Sequence, residues 1–114
     1  MTAAKYDLSI DQGSDFSIVL TISEDGSAKN LTNFSARGSM RKHLDADSSS
    51  AFECTIPSPL SGQVKMFMSH SVSAALKAGN YVYDLELYTG TTGAEDSVSR
   101  IMQGSVALNR EVTR

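Results

Sequence analysis

Apolar residues recur at every second position along most of the chain, the spacing of strands that bury one face. Phe16, Ile18, Leu20 and Ile22 fall on one side, with Ser17, Thr21 and Ser23 on the other and Val19 as the exception, making this the clearest strand pattern in the sequence. It closes at Glu24, Asp25, Gly26 and Ser27. Asp-Gly supplies the positive φ of a tight reversal, so a hairpin turn is expected there. Upstream, Tyr6, Leu8 and Ile10 alternate with Asp7, Ser9 and Asp11 before a break at Gln12, Gly13 and Ser14, which predicts a first short strand. Downstream, Phe34, Ala36, Gly38 and Met40 alternate with Ser35, Arg37, Ser39 and Arg41; the small inward residues predict close packing of another element.

The polar run from Asp45 to Ser50 reads as a solvated loop tip. Phe52, Cys54 and Ile56 resume the alternation until Pro57, Ser58 and Pro59, because proline cannot donate to a ladder. After a turn through Leu60, Ser61 and Gly62, Val64, Met66 and Met68 face one way and Lys65 and Ser69 the other; Phe67 breaks the polar side, as a residue covering a sheet edge or an interface would. From Ser71 to Lys77, Val72, Ala75 and Leu76 stand at helical spacing and Gly79 is placed as a left-handed terminator, so a short helical turn is expected over 71–77. Tyr81, Tyr83, Leu85 and Leu87 form a second strong row, with Asp84 and Glu86 expected in water. Thr89 to Asp96 reads as a Gly/Thr hairpin loop of about eight residues, longer than the usual connection. Strand character returns from Ser97 to Leu108, with Gly104 as a bulge or close-approach point, before a short polar tail from Glu111 to Arg114.

About seven strands with turn signals every eight to twelve residues predict an all-β fold, a β-sandwich or small barrel with antiparallel pairing, since the loops are too short for crossovers. The 114 residues are expected to make one domain, 1–114, with 40% apolar content enough for one core. A formal charge of −3 leaves no basic footprint for nucleic acid or an anionic membrane. Cys54 is the only cysteine, so no disulfide can close within one chain; its register with Phe52 and Ile56 makes it a small core residue. The residues after Met1 lack the basic and apolar regions of a secretory signal, and no stretch approaches the roughly 20 apolar residues of a membrane span, so synthesis in the cytoplasm is expected.

The chemistry-bearing residues are few. His43 and His70 are the two histidines, and neither has a Glu or second His at ligand spacing. A Ser/His/Asp triad could be assembled on paper, but serine is too abundant for that to carry weight, and no nucleophile elbow is present. Asp45, Asp47 and Ser48 look superficially like the start of a calcium loop, yet Ser50 and Ile56 stand where such a loop needs Gly and Glu. Gly90 and Gly93 lie among threonines with no following Lys, which is a hairpin and not a phosphate loop. No cofactor motif and no metal set are found, and a non-enzymatic interaction module is the economical reading. Arg37 and Arg41, with Lys42, form the one basic cluster and suit an acidic neighbour. Tyr88 and Phe67 are the aromatics expected to face outward. A glycan-binding module that stacks sugar on Tyr88 is the alternative.

Four stretches carry a family resemblance. They are Tyr6 to Phe16, a strand, a Gln-Gly break and a second strand; Asn30 to Arg37, a turn into a strand ending in Arg, with Asn33 in the turn glycine's place; Leu76 to Glu86, a helical turn feeding a Tyr-x-Tyr-Asp strand; and Met102 to Val106 followed by Val112, Thr113 and Arg114. In order and spacing they resemble small virion structural proteins of tailed bacteriophages, including tail and baseplate proteins, and are similar to the N-terminal module of phage baseplate upper proteins. The resemblance implies an immunoglobulin-like β-sandwich present in multiple copies on a phage tail or baseplate. Its expected role is that of a non-enzymatic adaptor between other phage structural proteins, with no nucleic acid or membrane involved. The contact residues expected on the outer faces are Arg37, Arg41, Phe67 and Tyr88, with Gly90, Thr91, Thr92 and Gly93 in the loop.

Overall fold

The computed structural model describes residues 4–44, 46 and 48–112. Asp45 and Asp47, the first residues of the calcium-like run, lie outside the described residues, as do Met1 to Ala3 and the terminal Thr113 and Arg114. In chain order the elements are β1 (Ala4–Lys5), β2 (Leu8–Asp11), β3 (Phe16–Thr21), β4 (Ser23–Glu24), β5 (Ser27–Ala28), β6 (Ser35–Arg41), β7 (Ser50–Ser58), a 3-10 turn (Pro59–Ser61), β8 (Gln63–Met68), α1 (His70–Ala75), β9 (Gly79–Thr91) and β10 (Ala94–Asn109).

Hydrogen-bonded neighbours run β1-β10-β9-β6-β7-β8-β3, with β2 also on β10 and β4–β5 a separate hairpin. β7 joins the two layers. Its first part, Ser50 to Phe52, pairs with β6, and from Glu53 onward it pairs with β8. The sheet thus folds over into an immunoglobulin-like β-sandwich, with β10, β9 and β6 in one layer and β8 and β3 in the other. Phe52 sits at the join, tilted against Phe16 of one layer at 6.2 Å and edge-on to Tyr83 of the other at 6.3 Å between ring centres.

The alternation predicted for β9 is fully expressed: Tyr81, Tyr83, Leu85 and Leu87 are buried and meet Val64, Met66 and Met68 of β8 in one core. Gly38 accounts for the small inward residues of β6, since a Cβ there would stand 2.8 Å from the Asp84 carbonyl and 3.5 Å from Met66 of the facing layer. Asp25 and Gly26 both adopt positive φ in the β4–β5 turn, and Asn33 does so in the place expected for a turn glycine.

Several expectations are corrected. Pairing is not antiparallel throughout: β1 and β2 run parallel to β10, a pairing open to them because they lie at opposite ends of the chain and need no short crossover. Tyr6 lies between β1 and β2 and is 52% exposed, so only Leu8 and Ile10 of its row reach the core. The helix covers 70–75, not 71–77, and it ends on extended Leu76; Gly79 opens β9 instead of terminating the helix. Its buried residue is Ser73, which accepts from the Gly13 amide at 3.0 Å and donates to the Ser14 carbonyl at 3.1 Å, while Val72 is exposed. β7 continues through Pro57 at an irregular register and stops before Pro59. The eight-residue loop is a two-residue turn at Thr92 and Gly93, and the flanking residues stay in the ladder. Positive φ at Gly90 and Gly93 permits the tight closure, with Asp96 the extra residue opposite Gly90.

Candidate functional site

The β9–β10 hairpin runs on past β6, whose pairing with β9 ends at Ser35 and Tyr88, and Thr91 to Ala94 and Asp96 to Arg100 are exposed. Arg37 of β6 fastens its base. In register with Glu86, it donates from Nε to Glu86 Oε1 at 2.8 Å and from Nη1 to Glu95 Oε2 at 2.9 Å. Its guanidinium lies 4.7 Å from the centre of the Tyr88 ring, a cation–π contact. The Gly93 amide donates to the same Glu95 oxygen at 2.8 Å. That amide and the arginine hold the Glu95 carboxyl well below its ordinary value, at about 2, and the two carboxylates raise the already high value of Arg37. Tyr88 Oη lies 3.3 Å from Thr92 Oγ1. The expected contact residues Arg37, Tyr88, Thr92 and Gly93 therefore meet in one network at the hairpin, joined by Glu86 and Glu95. Gly90 and Thr91 are exposed on the strand leading to the turn.

The remaining basic residues disperse. Arg41 donates to the Ala46 carbonyl at 2.8 Å, and Lys42 lies over the Tyr81 ring on the opposite side of the strand. Asp84 and Glu86, expected in water, are half-buried between arginines, with Asp84 paired to Arg100 at 3.3 Å. Burial, then the neighbouring Glu86, raises the Asp84 carboxyl despite the surrounding arginines. Phe67 is not on an edge: β8 lies between β7 and β3, and Phe67 stands half-buried on its outer face beside Glu53 and Ser17.

His70 at the start of α1 is exposed, with Nδ1 2.9 Å from Asp15 Oδ1 and its amide donating to the same oxygen at 2.7 Å. These contacts lower the Asp15 carboxyl. The arrangement fastens the helix to the turn before β3. Among the described residues, no three His, Cys, Asp or Glu side chains come together in a way that could hold a metal, and no helix is long and apolar enough to cross a membrane.

No family model matches the chain. No curated protein matches it. Among solved structures, the N-terminal domain of phage TP901-1 ORF48 is similar at 16% identity and a TM-score of 0.58, covering 96% of this chain and 99% of that one. The extracellular domain of the voltage-gated sodium channel beta4 subunit is similar at 10% identity and a TM-score of 0.48, covering 98% and 97%. The likeness to the phage domain extends over nearly the whole chain and shows a shared fold.

Proposed function

We propose that this chain is a non-enzymatic structural protein of a tailed-phage virion, a single β-sandwich domain that serves as a tail or baseplate adaptor through protein–protein contacts. The observation that carries the reading is the fold shared over 96% of the chain with the N-terminal domain of a phage protein. The four sequence stretches that resemble baseplate upper proteins support it independently. The partners are other phage structural proteins, met in multiple copies. The contact surface is the protruding hairpin with Gly90, Thr91, Thr92 and Gly93 at its end, held by Arg37 and Tyr88, together with Arg41 and the outer face around Phe67.

A glycan-binding role is disfavoured by the ring of Tyr88, since the Arg37 guanidinium occupies one of its faces. Co-expression of the tagged chain with the tail and baseplate proteins encoded beside it tests the proposal. Retention of at least one of them through purification is expected. A chain that retains none, and binds cell-surface glycan instead, would contradict it.

A further inference from the structure

β3 ends the second layer, and its free edge carries unpaired main-chain groups in a regular row. Ile22 donates its amide to the Gly62 carbonyl at 2.7 Å and accepts from the Lys29 amide at 2.8 Å. Because main-chain groups along a strand point alternately to the two sides, Leu20, Ile18 and Phe16 share that direction and bond to β8 through Val64, Met66 and Met68. Ser17, Val19 and Thr21 therefore turn their N–H and C=O groups away from β8. All three are exposed, Val19 at 54%; among the described residues β8 is the one strand that pairs with β3, and outside that ladder no main-chain hydrogen bond from these three is found.

Edge strands are ordinarily protected from pairing by charge, proline or a bulge. Phe16-Ser17-Ile18-Val19-Leu20-Thr21 contains no charged residue, no proline and no glycine, and it pairs with β8 without a register shift. Its inward side chains are also incompletely covered: Phe16, Ile18 and Leu20 are half-buried, whereas Val64, Met66 and Met68 beside them are 0–2% exposed.

We propose that this edge pairs with the β3 edge of a second copy of the chain, antiparallel and centred on Val19, giving a twofold dimer with one continuous sheet. Charge and register favour this occupant. An antiparallel pair places side chains of directly opposed residues on the same face, so centring on Val19 opposes Val19 to its copy, Ser17 to Thr21, Ile18 to Leu20 and Phe16 to Ile22. Every pairing is apolar with apolar or hydroxyl with hydroxyl, and no like charges meet. Val19 and the Ser17/Thr21 pairs are also the positions whose main-chain groups point outward, so these become the hydrogen-bonded pairs of the new ladder. The proposal does not depend on the phage assignment.

Sedimentation of the purified chain from micromolar to millimolar concentration, combined with residue-resolved amide exchange, tests it. The expected mass rises from the 12.2 kDa of one chain to twice that. The Ser17, Val19 and Thr21 amides should exchange freely when dilute and become protected as the dimer forms. Val19→Lys, at an exposed side chain, should weaken association at least about tenfold by opposing two like charges while leaving the monomer folded. A chain monomeric throughout would overturn the proposal, as would a dimer indifferent to the lysine or one in which these amides stay unprotected. Protection gained only on adding another particle protein would assign the edge to that protein instead.

Discussion

The hydroxyl of Tyr83 donates to the main-chain carbonyl of Tyr6, tying the first segment of the chain to the middle of β9 across β10. The bond passes Gly104, the residue opposed to Tyr83 in the ladder, where a Cβ would collide with that same Tyr6 carbonyl oxygen. Gly104 is thus required for a close approach, and the nearby bulge falls at Ile101 instead. Tyr83→Phe should destabilise the fold by about 1 kcal/mol, and Gly104→Ala by about 1–3 kcal/mol because the first strand must move. Denaturant unfolding of both variants checks this. Combining them should cost less than the sum, since each disturbs the same contact.

Burial, then the charge of Asp7, pushes the Tyr83 phenol up to about 12 from an ordinary 10. A raised acid favours the folded state while the phenol is neutral. Its contribution is complete below pH 10 and lost as pH climbs toward 12. Stability measured across that window should fall less steeply in Tyr83→Phe, and the ultraviolet tyrosinate titration should lose its latest-ionising component.

Acid acts on the hairpin. Glu95 is held at about 2 against an ordinary 4.5, first by the Gly93 amide and then by Arg37. Stability from this depressed carboxyl is present above pH 4.5 and lost as pH falls toward 2. Glu95→Gln should flatten that part of the acid profile, and the Gly93 amide should exchange faster at neutral pH than in the parent chain. Arg37→Ala should loosen the same hairpin, seen as faster exchange of the Gly93 amide, with only a small loss of global stability because its ion pairs are partly solvated.

How these features were encoded differs from element to element. β9 was readable because both its neighbours and the facing layer demand burial at Tyr81, Tyr83, Leu85 and Leu87, so its alternation survives unmixed. β3 shows an equally clear alternation yet is an edge strand with a half-covered face, since periodicity reports which side is apolar and not how many strands flank it. The hairpin network was only partly visible. Arg37, Tyr88 and the glycines stood out by type, whereas the partners Glu86 and Glu95 lie 49 and 58 residues away from Arg37 and are brought in by register alone. The parallel edge was hidden for a similar reason, because it joins the two ends of the chain.

Ser73 gives a test of the helix's attachment. Its fully buried hydroxyl both accepts from the Gly13 amide and donates to the Ser14 carbonyl. Ser73→Ala strands both groups and should cost about 1–3 kcal/mol in chemical denaturation. Ser71→Ala, on the exposed side of the same helix, should change stability by less than about 0.5 kcal/mol.

Cys54 should behave as a packing residue. Burial pushes its thiol up to about 11, so little thiolate exists at neutral pH. A thiol reagent at pH 8 should modify the folded chain far more slowly than the chain in denaturant. Rapid labelling of the folded form would show that the strand join at β7 opens readily.

The most direct test of the proposed adaptor role is a density map of an intact tailed-phage particle produced from the genome that encodes this chain. The expected result is a repeated β-sandwich of this topology in the tail or baseplate, with the Gly90 to Gly93 end of the β9–β10 hairpin seated against a neighbouring protein. A particle fully accounted for by other subunits, with this chain absent from it, would contradict the proposal.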